Sequence, residues 1–223
     1  MIVQIYTLQS VEEALEVESV GVHNIGLAPA SIGLPGEISY ETAKSICHEI
    51  QNSKTVALSV SNNIEEIIEM VMFVKPDILH LCGEPGELNA SRVKILRDRL
   101  QSTDKKIPIM QAISVEDMSA VEFAKEYEDV SDYFILDTST SLVQGVGASG
   151  KVHDWNVSKA IVDSVKIPVI LAGGLSPENV RDAIEKVKPW GVDSLTHTNK
   201  TLDNGNFVKD ITKVRKFFKN ATG

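Results

Sequence analysis

Short β-branched runs and segments of helical spacing alternate along the whole 223-residue chain, and that rhythm restricts the fold more than any single residue does. Ile2–Tyr6, Val22–Leu27, Thr55–Val60, Asp77–Cys82, Ile107–Ile113, Tyr133–Asp137, Ile167–Ala172 and Gly191–Thr196 read as strands. Between and after them, Val11–Val20, Ser39–Ile50, Asn63–Val74, Leu88–Leu100, Val115–Tyr127, Asp154–Val165, Ser176–Val187 and Val208–Phe218 carry apolar residues at three- and four-residue steps, as helices do. Ser39, Asp154 and Ser176 suit helix N-caps, Ser114 with Asp117 suits another, and Pro76 stops the third helix. A strand followed by a crossover helix pairs in parallel with the next strand. Eight such units in a chain of this length predict a closed (β/α)8 TIM barrel, with residues 1–223 as a single domain. An open doubly wound sheet is the competing architecture.

Charge limits the partners. A formal net charge of −9 disfavours nucleic acid or an anionic membrane, since both need clustered Lys and Arg. No apolar run approaches the ~20 residues that span a bilayer, and the N-terminus turns acidic without a signal-peptide pattern. Cys47 and Cys82 fit no metal or disulfide framework, so a reducing cytoplasm is expected. No cofactor is implied, and a small anionic substrate stays compatible with the composition.

In a barrel the chemistry sits at the C-terminal strand ends. Ile135–Trp155 is the clearest case, an apolar run ending in Asp137 and Thr138, then a Ser/Thr- and Gly-rich loop, then Asp154-Trp155. A carboxyl at such a lip, shielded from water, is suited to donating or accepting a proton. Tyr6, His80, Cys82 and Gln111 stand at other strand ends, and side-chain alternation sets His80 with Cys82, and Gln4 with Tyr6, on shared faces. For His80 and Cys82, core filling is the alternative. Gly173 and Gly174 precede a helix start, where backbone N–H groups can approach a phosphate. Thr196 and His197 stand at the end of the last strand and are further ligand candidates. Gly145-x-Gly147-x-x-Gly150 matches a dinucleotide fingerprint in form alone: it lies well beyond the strand end, and no acid follows near position 170. It reads better as an active-site loop.

These motifs together resemble phosphoribosylanthranilate isomerase, a barrel enzyme of tryptophan biosynthesis that performs an Amadori rearrangement. Ile135-Leu-Asp-Thr138, Ser149-Gly150-Lys151 and Asp154-Trp155 resemble that family's Leu-Leu-Asp-Thr, Gly-Thr-Gly-Lys and Phe-Asp-Trp series. Leu171-Ala-Gly-Gly-Leu-Ser-Pro-Glu-Asn-Val180 resembles its phosphate loop, and Trp190-Gly-Val-Asp193 the opening of its last strand. The resemblance implies acid–base isomerisation of a phosphorylated sugar, with Asp137 as general acid. Four departures accompany it. The family's Lys-Ile-Cys-Gly, whose cysteine is the base, reads Gln4-Ile5-Tyr6-Thr7, and its Gln-Leu-His-Gly reads His80-Leu81-Cys82-Gly83. Its Ser-Pro-Arg loop should fall within Ala28–Ile38, yet no arginine precedes Arg92. Its Ser-Ser-Gly-Val-Glu reads Leu195-Thr-His-Thr-Asn199. Tyr6 or a displaced thiolate at Cys82 then becomes the expected base. A diverged aldolase or other isomerase, and a non-catalytic metabolite-binding regulator, are the alternatives.

Overall fold

The computed structural model describes residues 1–83, 86–103, 105–138 and 153–223. Eight parallel strands form a closed barrel: β1 (Ile2–Tyr6), β2 (Asn24–Leu27), β3 (Lys54–Ser59), β4 (Ile78–Leu81), β5 (Ile109–Ser114), β6 (Tyr133–Asp137), β7 (Val169–Leu171) and β8 (Gly191–Ser194). Closure is explicit in the register, where Gln4 of β1 pairs with Asn24 of β2 on one side and with Asp193 of β8 on the other. The doubly wound alternative is thereby excluded. Eight helices follow: α1 (Val11–Glu18), α2 (Tyr40–Glu49), α3 (Ile64–Val74), α4 (Ala90–Gln101), α5 (Ser119–Tyr127), α6 (Trp155–Ser164), α7 (Val180–Val187) and α8 (Ile211–Thr222).

Strand alternation divides the core in two. Val3, Ile5, Leu79, Leu81, Phe134, Leu136 and Val192 face the helices, whereas Tyr6, Ile78, Cys82, Met110, Ala112, Ile135 and Ile170 pack inside the barrel. Helix starts are fixed by side-chain oxygens that accept otherwise unpaired N–H groups: Ser10, Ser39, Asn63, Asn89, Asp154 and Asp210 all do so. α3 and α7 end on left-handed lysines, Lys75 and Lys188, and Pro76 prevents continuation of the former.

Three boundaries differ from the sequence reading. α5 begins at Ser119, whose N–H is accepted by Asp117 at 2.8 Å, while Ser114 ends β5 and caps nothing. Ser176-Pro177-Glu178 forms a turn ahead of α7, in which the Ser176 hydroxyl accepts the Glu178 N–H at 3.1 Å. Most consequential, Val208 is not helical. Phe207–Lys209 (β10) pairs antiparallel with Asn199–Thr201 (β9), so a small hairpin stands between β8 and α8.

Candidate active site

One cleft of about 790 Å³, counted to its open mouth, occupies the C-terminal end of the barrel. Tyr6, His80, Cys82, Asp137, Gly173, Gly174, Thr196 and His197 all line it. Tyr6, His80, Cys82 and Asp137 arrive by interior parity at a strand's C-terminal end, whereas Gly173, Gly174, Thr196 and His197 belong to the loops that follow β7 and β8. Gln111 does not line the cleft. Its neighbours Met110 and Ala112 face inward, which turns Gln111 the other way, and its amide donates to the Ala112 carbonyl at 3.0 Å. Gly145, Gly147, Gly150 and Lys151 lie outside the described residues.

Two carboxyls share the cleft. Burial raises that of Asp137 to about 7, opposed by an N–H bond from Thr138 at 2.7 Å. Asp193, unremarked in the sequence as a site residue, is raised to about 8, first by burial and then by the Asp137 charge. The only sequence signal for it is an acid inside the apolar run Gly191–Ser194. Its Oδ1 has no hydrogen-bond partner among the described residues. Below it, Asn24 donates to the Gln4 side-chain oxygen at 3.1 Å, giving the barrel interior a polar layer.

Aromatic and sulfur groups face these acids. Tyr6 Oη lies 3.0 Å from His80 Nδ1. Burial, with Asp193 and Cys82 adding, raises the Tyr6 phenol well above its ordinary value near 10. Burial also depresses His80 to about 3, so its ring is neutral. Cys82 stands two residues beyond His80 on the same inward face and is itself buried.

The rim opposite β4 has the geometry of an anion cradle. Gly173 and Gly174 take φ of 79° and 66°, and a Cβ at Gly173 would stand 2.7 Å from His153 Nδ1 and 2.8 Å from Thr138 Oγ1. Their backbone comes close to those groups because no side chain is there. After β8, Thr196–Thr198 forms a single 3-10 turn that carries exposed Thr196 and His197 to the same rim. Lys209, also unforeseen, supports that turn from beneath. Its Nζ donates to the carbonyls of Tyr6 and Leu195, the latter at 3.1 Å, and to Asn199 Oδ1 at 2.5 Å. Burial lowers it to about 7, while Glu13 and Asp193 oppose that shift.

Among the described residues no cluster of His, Cys, Asp or Glu could hold a metal ion, and no helix is long and apolar enough to cross a membrane.

Comparison with known proteins agrees with this geometry. The family model for N-(5'-phosphoribosyl)anthranilate (PRA) isomerase matches residues 3–220. The PRA isomerase of Methanocaldococcus jannaschii is 29% identical over 222 residues, covering 92% of this chain and 90% of that one. That of Acetivibrio thermocellus is 33% identical over 183 residues, covering 81% and 78%. The Methanocella arvoryzae enzyme is 36% identical over 154 residues, which is 68% of this chain and 65% of its own length. Among solved structures, the Thermotoga maritima enzyme superposes with a TM-score of 0.79 at 27% identity, covering 100% of both chains. A phosphoribosyl anthranilate isomerase in complex with reduced 1-(o-carboxyphenylamino)-1-deoxyribulose 5-phosphate gives 0.78 at 26%, again over 100% of each. The family model spans nearly the whole chain and the fold superposes from end to end, and the chain belongs to the N-(5'-phosphoribosyl)anthranilate isomerase family.

Proposed function

We propose that this protein converts N-(5'-phosphoribosyl)anthranilate to its 1-amino-1-deoxyribulose isomer, as a cytoplasmic step of tryptophan biosynthesis, with Asp137 as general acid and Cys82 as general base. The observation that carries the reading is Asp137: a strand-end carboxyl raised to about 7 by burial, in one cleft with the glycine pair at β7. A carboxyl at that value keeps about half of its population protonated near neutrality and can give its proton up.

Asp137 protonates the furanose ring oxygen, the C1–O bond breaks, and the freed oxygen becomes the C4 hydroxyl. The nitrogen lone pair forms an iminium at C1. Removal of the C2 proton then yields an enolamine, which takes up a proton at C1 and loses the proton of its C2 hydroxyl to solvent as it becomes the C2 ketone. No electron leaves or enters the molecule as a whole. Tyr6 is unsuited to the C2 step, because its phenol is held well above 10 and is essentially never ionised at neutral pH. Cys82, just beyond β4 on the inward face, takes that part as its thiolate. Backbone N–H groups at Gly173 and Gly174, with the turn bearing Thr196 and His197, receive the phosphate.

Turnover of phosphoribosylanthranilate by the purified protein, and rescue of a tryptophan auxotroph lacking the isomerase, test this reading. Asp137→Asn should cut kcat by ~10²–10⁴-fold and Cys82→Ser by a comparable factor. Failure to turn over the substrate or to bind the reduced deoxyribulose analogue defeats the proposal; unchanged turnover in Cys82→Ser removes the base assignment alone.

A further inference from the structure

Tyr6 and His80 meet across the barrel interior, with ring centroids 5.6 Å apart and planes at 64°. Both are buried, at 4% and 6% exposure, and both line the cleft. A buried neutral phenol has one proton to donate, and Nδ1 of His80, at 3.0 Å, is its hydrogen-bond partner. With Nδ1 accepting, the neutral imidazole must carry its own proton on Nε2. That nitrogen is buried and has no hydrogen-bond partner among the described residues. A buried donor left unmet is unfavourable, so a ligand that brings an acceptor oxygen to it gains affinity there.

We infer that Tyr6 and His80 form a donor pair of fixed tautomer, in which His80 Nε2–H binds the C2 oxygen of the substrate pentose and supports charge on it as the ketone forms. This rests on the isomerase reading. Cys82, the group assigned to the C2 proton, follows β4 on the same inward face as His80, and both line the cleft. The phosphate end of the sugar is held at β7 and β8, across the barrel from β4. His80 stays neutral to about 3, and a neutral N–H aimed at a developing enol oxygen donates without surrendering its proton. His80 is then a catalytic residue, and Tyr6 a positioning residue that acts through it.

The test has two arms. In the first, nitrogen-15 NMR of histidine-labelled protein at neutral pH should show His80 protonated at Nε2, and Tyr6→Phe should release it into a mixture of tautomers. In the second, His80→Leu should lower kcat ~10²–10³-fold with a smaller change in KM, while His80→Gln, which keeps an N–H donor, should recover at least a tenth of wild-type kcat. A proton on Nδ1 in the wild type overturns the proposal, as does equal kcat in His80→Leu and wild type. If the wild type shows the Nε2 tautomer but turns over no phosphoribosylanthranilate, the isomerase reading and the C2 assignment fall together and the donor pair stands.

Discussion

The ring of Tyr6 lies flat against the bare α-carbon of Gly26, so close that a Cβ there would stand 2.3 Å from the ring's Cγ. β1 and β2 pair these two residues directly, Tyr6 with Gly26. The tyrosine is admitted to the barrel interior by the missing side chain on the next strand.

Gly26→Ala should therefore displace Tyr6 and break its bond to His80. Overpacking of this kind costs ~1–3 kcal/mol, a fall of several degrees in Tm by thermal denaturation. Activity should fall further than stability does, and an unchanged Tm would show that the ring has room to move.

The two raised carboxyls make the ligand-free protein prefer acid in a defined window. Their folded values, about 7 for Asp137 and about 8 for Asp193, exceed the ~4 of an unfolded aspartate. Their contribution is thus fully present below pH ~4 and is lost as pH rises through the folded values. Lys209, depressed to about 7, acts oppositely and only above that pH. Asp193→Asn should flatten the decline of Tm between pH 4 and 7 relative to the wild type. Parallel curves for the two proteins would refute the assignment.

Lys209→Met removes the ammonium bonds to the Tyr6 and Leu195 carbonyls and to the Asn199 amide oxygen, although Thr198 still donates to Leu195. A loss of ~1–3 kcal/mol in urea denaturation is expected. Because the Leu195 carbonyl leads into the turn with Thr196 and His197, KM for the phosphorylated substrate should rise ~5-fold or more, by the ~1 kcal/mol scale of one such bond. A variant with normal KM would separate the lysine from the phosphate rim.

Gly173→Ala places a methyl against His153 and Thr138 on a left-handed backbone, where no space exists. If the proposed phosphate site is correct, steady-state kinetics should show KM raised ~10-fold or more, with kcat less affected, since the loss would fall on the end of the substrate remote from the reaction. An equal fall in kcat with KM unchanged would argue against phosphate at this position.

Asp137 was legible from the sequence because an acid ending an apolar run can have few other positions in an alternating α/β chain. The shared inward face of His80 and Cys82 followed from a period of two, and both line the cleft. The same rule misplaced Gln111, since strand-end position was weighed without its parity relative to Met110 and Ala112. Asp193 is harder to read, because it precedes the strand end at Ser194, although alternation with Val192 places it inside. Lys209 was hidden for a different reason. Charges at 209, 213 and 216 mimic the solvated face of a helix, and only pairing with Asn199–Thr201 turns Val208–Lys209 into a strand. That pairing is non-local, and local spacing carries no trace of it.

The Lys209 ammonium joins the first strand's final carbonyl to the stretch that follows the eighth strand, so the cleft's floor and rim are fastened at the seam where the barrel closes. A chain growing from its N-terminus cannot make that fastening until the hairpin after β8 has emerged. The groups lining the cleft are consequently held together at this seam only after synthesis has passed Lys209, and shorter nascent chains lack that fastening.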